Sequence, residues 1–161
     1  MTRLLGNMLI AVNISANQFR HPDFVSDVLE VLQQTGARPD RLKLELTESF
    51  IIADIEDAIE KMAALKKQGI ALSLDDFGTG YSSLSYLKRL PIDELKIDKS
   101  FVNNILIDDN DAAIARTIIA LGKTLGLSVV AEGVETEEQL QFLFAEGCDL
   151  YQGSVFIKRL I

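Results

Sequence analysis

The chain has 161 residues, 48% of them apolar, with 16 basic and 24 acidic side chains giving a net charge of −8. That length fits one domain, and the apolar share suffices for one packed core. The negative balance argues against non-specific nucleic-acid binding, which needs a positive surface, so no nucleic-acid polymer is expected as partner. The longest uncharged, mostly apolar stretch, Leu4 to Gln18, is too short and too polar at its end to span a bilayer. It lacks a small-residue cleavage site after an apolar segment, so it is not read as a signal peptide. The single cysteine, Cys148, allows no internal disulfide and fits a reducing compartment, so a cytoplasmic location is expected.

Met8 to Val12 is an apolar run that ends in Asn13-Ile14-Ser15. The lone His21 stands in His-Pro-Asp, a loop or helix start rather than a ligand. Pro22 then opens a helix with Phe24, Val25, Val28, Leu29 and Leu32 on one face and Gly36 just past its end. Leu42 to Leu46 alternates apolar and polar residues before Thr47-Glu48-Ser49, as a strand does. A second amphipathic helix places Ile55, Ala58, Ile59, Met62 and Leu65 inward and stops at Gly69.

Ile70 to Leu74 is an apolar run interrupted only by Ser73, short enough for a buried strand. The adjacent acids Asp75 and Asp76 follow where that strand is expected to stop, then Gly78 and Gly80. Ser82 to Leu90 reads as a short helix halted by Pro91, and Leu95 to Asp98 as the next strand. Asp111 to Leu125 is a long helix with Ile114, Ile118, Leu121 and Leu125 inward and Gly126 at its end. Leu127 to Ala131 is a buried strand running into Glu132-Gly133-Val134-Glu135. Thr136 to Gln139 has capping-box spacing for a last helix, stopped at Gly147, and Leu150 begins the final strand, taken to extend to Phe156.

Strand, loop, helix, glycine, strand is therefore the repeating unit, and alternation of this kind means a parallel sheet with right-handed crossovers. An open doubly wound sheet and part of a (β/α) barrel both satisfy it. No Gly-x-Gly-x-x-Gly follows the first strand, so a dinucleotide fold has no positive support. Six strand ends carry Asn13, Glu45 with Glu48, Asp75 with Asp76, Lys96 with Asp98, Glu132 with Glu135, and Gln152. In a parallel sheet these ends share one rim, and in a barrel that rim is where active sites are built. Each acid by itself fits a cap or a polar loop, and Lys96 fits a structural ion pair with Asp98 or Glu132. Together they point to a metal-carboxylate site.

Oxygen ligands without His or Cys clusters favour Mg²⁺ or Mn²⁺ over zinc. Adjacent acids can flank two ions, the arrangement used for in-line displacement at phosphorus, and a lysine among them can orient water or neutralise a phosphoryl oxygen. The residues alone suggest metal-dependent phosphoester hydrolysis, with a binding-only site as the competitor.

Six segments in order closely resemble the EAL family of bacterial cyclic di-GMP phosphodiesterases: Val12-Asn13-Ile14-Ser15, Glu45-Leu46-Thr47-Glu48, Asp75 to Ser83, Lys96-Ile97-Asp98, Ala131 to Glu135, and Gln152-Gly153. The resemblance implies an α/β fold, a TIM-like (β/α) barrel of the EAL type, incomplete here with about six of eight strands present, so that residues 1–161 form a partial EAL domain. It implies a two-ion Mg²⁺ or Mn²⁺ site with Asn13, Glu45, Asp75, Asp76 and Glu132 as metal ligands. Lys96 is implied as the water-activating residue, working with Asp76, and Glu48 as the residue holding the loop after Asp76. Gln152, Glu135 and Asp98 fall where the family meets the metals or the guanylyl substrate.

Two departures qualify the likeness. The tripeptide Glu-Ala-Leu occurs nowhere in the chain, and Gly153 to Arg159 has Ser and Arg where the family usually has an aromatic residue and Pro. The expected function is hydrolysis of cyclic di-GMP to its linear dinucleotide, impaired or absent in this chain as it stands. The alternative is a non-catalytic module that binds cyclic di-GMP or another protein. A homodimer or higher oligomer is expected, through the Met8 edge or the Ser82 to Leu90 helix, because open apolar strand edges invite pairing.

Overall fold

The computed structural model describes residues 8–79, 84–148 and 150–154. Six strands and eight α-helices alternate: β1 (Ile10–Ile14), α1 (Ala16–Arg20), α2 (Phe24–Thr35), β2 (Leu42–Thr47), α3 (Glu48–Ile51), α4 (Ile55–Lys67), β3 (Ala71–Phe77), α5 (Leu84–Leu87), β4 (Glu94–Ile97), α6 (Lys99–Asn104), α7 (Asp109–Leu125), β5 (Ser128–Glu132), α8 (Glu137–Ala145) and β6 (Leu150–Gln152). Strand order follows chain order, β1-β2-β3-β4-β5-β6. Two compact units are formed, residues 8–73 with Leu84–Ile92, and residues 74–79 with 93–148 and 150–154. No helix among the described residues is long and apolar enough to cross a membrane.

In the first unit β1 and β2 pair in parallel, with Asn13 opposite Glu45. Ser15 caps α1 in a capping box with Gln18, a spacing that escaped the reading of the chain. The core gathers Phe19, Phe24, Leu44, Leu46, Ile51, Met62, Leu65 and Leu72. Lys61 of α4 is buried among them because its ammonium donates to the Phe19 carbonyl at 2.9 Å and pairs with Asp57 at 2.8 Å. That tie closes α1 against α4 and satisfies a charge that burial otherwise penalises.

In the second unit β4, β5 and β6 pair in parallel, Lys96 opposite Val130 and Glu132 opposite Gln152. Leu95, Ile97, Val102, Ala115, Ile119, Ala131 and Leu143 form its core. The glycines expected at helix-to-strand corners, Gly36, Gly69, Gly126 and Gly147, all have positive φ, which is how each helix turns back into a strand.

Several boundaries move. β1 starts at Ile10 rather than Met8 and runs one residue past Asn13, because the ladder to β2 continues to Ile14. β3 likewise runs through Asp75 and Asp76 to Phe77, so the acids belong to the strand itself. Helix α6 was not expected and exists because Asp98 caps it through the Ser100 N–H. Of the expected Ser82 to Leu90 helix only Leu84–Leu87 is helical, followed by turns, and residues 82–83 lie outside the described residues. The expected last strand is described only as Leu150–Gln152, and the part of the C-terminal departure from Val155 onward lies outside the described residues.

Core position and exposure separate two test substitutions. Leu65→Ala removes a fully buried side chain and is expected to cost about 2–5 kcal/mol in denaturant unfolding. Ile107→Ser, at a residue 85% exposed, is expected to change stability by less than about 0.5 kcal/mol.

Candidate active site

Side chains two apart on a strand share a face, and residues in register on parallel neighbours lie side by side. In the second unit this puts Lys96, Glu132 and Gln152 on one face near the C-terminal ends of β4, β5 and β6. Lys96 is 3% exposed, and its ammonium lies 2.5 Å from Glu132 Oε1 and 3.4 Å from Asp75 Oδ2. The ion pair foreseen for Lys96 is therefore made with Glu132 and Asp75. Asp98, the other partner considered, turns instead to its own helix cap, where the Ser100 N–H donates at 2.8 Å and the Ser100 hydroxyl donates as well.

Asp76 has φ 54°, and no other described residue outside glycine has positive φ. Its carbonyl accepts from the Thr79 hydroxyl at 2.8 Å, and its N–H donates to Asp75 Oδ1 at 2.9 Å. This kink interrupts the regular strand at Asp76, and both acids lie near Glu132. Gly78 completes the turn with φ 97°, and a Cβ there would sit 3.1 Å from Ile118 and 3.3 Å from Phe101. Burial, a hydrogen bond with Asp98, and the negative charges of Asp75, Asp98 and Glu132 push the Asp76 carboxyl up to about 6. Burial would raise Asp98 too, but the two Ser100 donors, Asp76 and the Lys99 charge bring it below the usual range.

Glu132, Glu135 and Gln152 line a cavity of about 300 Å³ together with Lys99, Gly133, Gly153 and Ser154. In the first unit Asn13 is exposed beside Glu45, which is buried. Glu48 is buried at the start of α3 and accepts a hydrogen bond from the Tyr86 hydroxyl. Thus Asp75, Asp76, Lys96, Asp98, Glu132, Glu135 and Gln152 belong to one unit, and Asn13, Glu45 and Glu48 to the other.

The donor set fits a hard divalent cation: carboxylate and amide oxygens, with an excess of negative charge around Asp76 that a cation relieves. Among the described residues no three His, Cys, Asp or Glu side chains already converge as a ligand group, and the cation between Asp75 and Glu132 is the Lys96 ammonium. Ser100 and Tyr86 were missed by sequence reasoning. Ser100 stands two residues after Asp98, the spacing of a helix cap, whereas Tyr86 lies 38 positions from Glu48 and has no local signal.

An acid whose folded pKa exceeds its unfolded value of about 3.9 holds its proton more tightly in the native state. Its contribution to stability is therefore lost as pH rises from about 4 through about 6. Asp76→Asn removes this term and keeps a residue tolerant of left-handed backbone. In chelator, the variant is expected to lose less Tm than the parent between pH 4.5 and 7.5, and equal slopes would refute the assignment.

Comparison with known proteins extends the picture. The EAL domain family model matches residues 1–159. The chain is 51% identical over 144 residues, 89% of its length, to the bifunctional diguanylate cyclase/cyclic di-GMP phosphodiesterase MucR of Pseudomonas aeruginosa, covering 21% of that protein. It is 45% identical over 151 residues, 94% of its length, to the cyclic di-GMP phosphodiesterase NbdA of the same organism, covering 19% of it. Among solved structures, the MucR phosphodiesterase in complex with c-di-GMP superposes with a TM-score of 0.89 at 47% identity, covering 95% of this chain and 64% of that one. The manganese/cyclic di-GMP complex of Klebsiella pneumoniae BlrP1 gives 0.84 at 37% identity, covering 94% and 39%. The chain thus spans about a fifth of the length of the curated relatives it matches. The fold is α/β, that of the TIM-like (β/α) barrel of EAL structures, and the chain belongs to the EAL domain family.

Proposed function

We propose that this EAL domain serves the divalent-cation-dependent hydrolysis of cyclic di-GMP to the linear dinucleotide. The observation that carries the reading is the buried Lys96 ammonium between Glu132 and Asp75, beside an Asp76 crowded by negative charge. The relatives add support, since MucR was solved with c-di-GMP and BlrP1 with cyclic di-GMP and manganese or calcium. On this reading Asp75, Asp76 and Glu132 of the second unit, and Asn13 and Glu45 of the first, would be ligands for Mg²⁺ or Mn²⁺, two ions when the site is complete. When bound, such ions supply Lewis acidity at the phosphate and acidify water.

Hydrolysis forms one bond from a water oxygen to phosphorus and breaks one bond from phosphorus to the ribose 3′ oxygen, which takes a proton. Lys96 orients the attacking water and neutralises charge growing on the phosphoryl oxygens, and its burial strengthens both effects. Asp76, held in a left-handed backbone conformation near the end of β3, acts with it at the reacting centre. Glu48 steadies the loop after Asp76, and its own carboxyl is oriented by Tyr86. Glu135, Gln152 and Asp98 meet the guanylyl part of the substrate. The site works in the cytoplasm, where the buried Cys148 thiol stays reduced.

A second reading, binding without cleavage, draws on the 2.5 Å Lys96–Glu132 pair, which engages both groups with each other. Calorimetry separates the readings in two steps. Nucleotide binding is expected to require Mn²⁺ or Mg²⁺ and to vanish in chelator, because the acids otherwise repel an anion. Equal affinity in both conditions would place the nucleotide elsewhere. Any formation of linear dinucleotide is then expected to fall at least about a hundredfold in Lys96→Met, with folding checked by circular dichroism. Metal-dependent binding with no product from the parent chain would select the binding-only module.

We also infer self-association through β1. Among the described residues its strand neighbour is β2, and Met8, Leu9, Ile10 and Val12 are exposed, Ile10 at 57%. Residues 8–14 carry no charge to discourage edge pairing, so a second copy of the same uncharged edge suits it. Light scattering over a dilution series is expected to show a dimer or larger species that Ile10→Lys dissociates. A monomer at all concentrations would refute the contact.

A further inference from the structure

The loop Gly133-Val134-Glu135 joins Glu132 at the end of β5 to helix α8, and it is held mainly by its backbone. The Val134 N–H donates to the Gln152 carbonyl at 3.1 Å. Gly133, with φ 70°, packs so that a Cβ would come within 2.8 Å of the Lys99 Cβ. Gly153 lies directly on the Val134 backbone, and a Cβ there would overlap it. These contacts set the floor of the cavity lined by Lys99, Glu135 and Gln152.

One buried side chain adds a restraint from outside the cavity. Gln139, in the first turn of α8, accepts at Oε1 from the Glu135 N–H at 2.8 Å and the Thr136 N–H at 3.1 Å. Its Nε2 donates to the Val102 carbonyl of α6 at 3.2 Å. The acceptor half is ordinary helix capping, with Thr136 as the reciprocal partner. The donor half is not. A glutamate satisfies a capping box equally well, yet it has no hydrogen to give Val102.

We propose that Gln139 is a positioning residue for the nucleotide cavity. It fastens the loop that carries Glu135 to the helix that begins with Lys99, so the two walls of the cavity keep one spacing. The inference rests on the reading of this cavity as the guanylyl subsite. Because Gln139 is buried and bonds the Glu135 backbone rather than a side chain of the cavity lining, it acts through the loop rather than on the ligand.

Three variants of the full chain separate positioning from capping. Thr136→Ala removes part of the cap alone. Gln139→Glu keeps an acceptor for the Glu135 and Thr136 amides but sets an oxygen against the Val102 carbonyl. Gln139→Met removes all three bonds. The readouts are amide hydrogen exchange at residues 133–135 in chelator, cyclic di-GMP affinity by calorimetry with Mn²⁺, and Tm. Both Gln139 variants are expected to speed loop exchange and weaken nucleotide binding at least about tenfold, the worth of the Val102 bond that both lose. Thr136→Ala is expected to lower Tm while leaving loop exchange and affinity within about twofold of the parent.

Equal effects from Thr136→Ala and Gln139→Glu, or parent-like loop exchange in Gln139→Glu, would overturn the proposal. If the parent chain binds no cyclic di-GMP, the subsite reading fails and the exchange comparison alone decides the role of Gln139. If Gln139→Met does not fold, Gln139→Glu against Thr136→Ala decides it.

Discussion

A lysine ammonium taken out of water near the end of a strand is unfavourable unless negative charge meets it. Lys96 is such a group, and its contacts with Glu132 and Asp75 compensate it. Removing one member of a buried ion pair costs about 3–5 kcal/mol, because the partner is left charged without compensation. The pairing thus fixes more than Lys96: it ties together the C-terminal parts of β3, β4 and β5, since each carries one of the three groups. The proposed chemistry of the second unit rests on that arrangement.

The same arrangement leaves an excess of acid. Asp75 and Glu132 share the one lysine, while Asp76 and Asp98 lean on each other. Burial and neighbouring charge move Asp76 up, whereas Ser100 and helix α6 move Asp98 down. A left-handed residue at Asp76 is the backbone's share of the cost, and such conformations persist where surrounding contacts enforce them. Thr79 and Gly78 do so here, the first by bonding the Asp76 carbonyl and the second by seating the turn on Phe101 and Ile118.

Around these charges the scaffold is held by ordinary means. Apolar side chains on the opposite faces of the strands, Leu95, Ile97 and Ala131 in the second unit, form the core that the helices cover. Capping boxes at α1 and α8 place the helix starts close behind the strand ends, which keeps the intervening loops short. Short loops at the C-terminal ends of parallel strands bring functional side chains together without long mobile segments.

The repeat of strand, helix and glycine was legible in the sequence because hydrophobic period and helix-stop glycines are local properties, and the helices and strands fell close to where the pattern put them. The candidate acids were singled out by the same pattern, since each stands at or close to the C-terminal end of a strand. Local signals were weaker at the ends of elements. Asp75 and Asp76 read as the start of a loop, yet strand pairing carries β3 through both of them. What only the tertiary structure decided was which group meets which. Lys96 finds Asp75 at 21 positions' separation, Tyr86 finds Glu48 at 38, and Gln139 finds Val102 at 37. No local pattern encodes these pairs, because the partners are brought together by strand register and helix packing, and those are set by burial of the whole core rather than by neighbours along the chain.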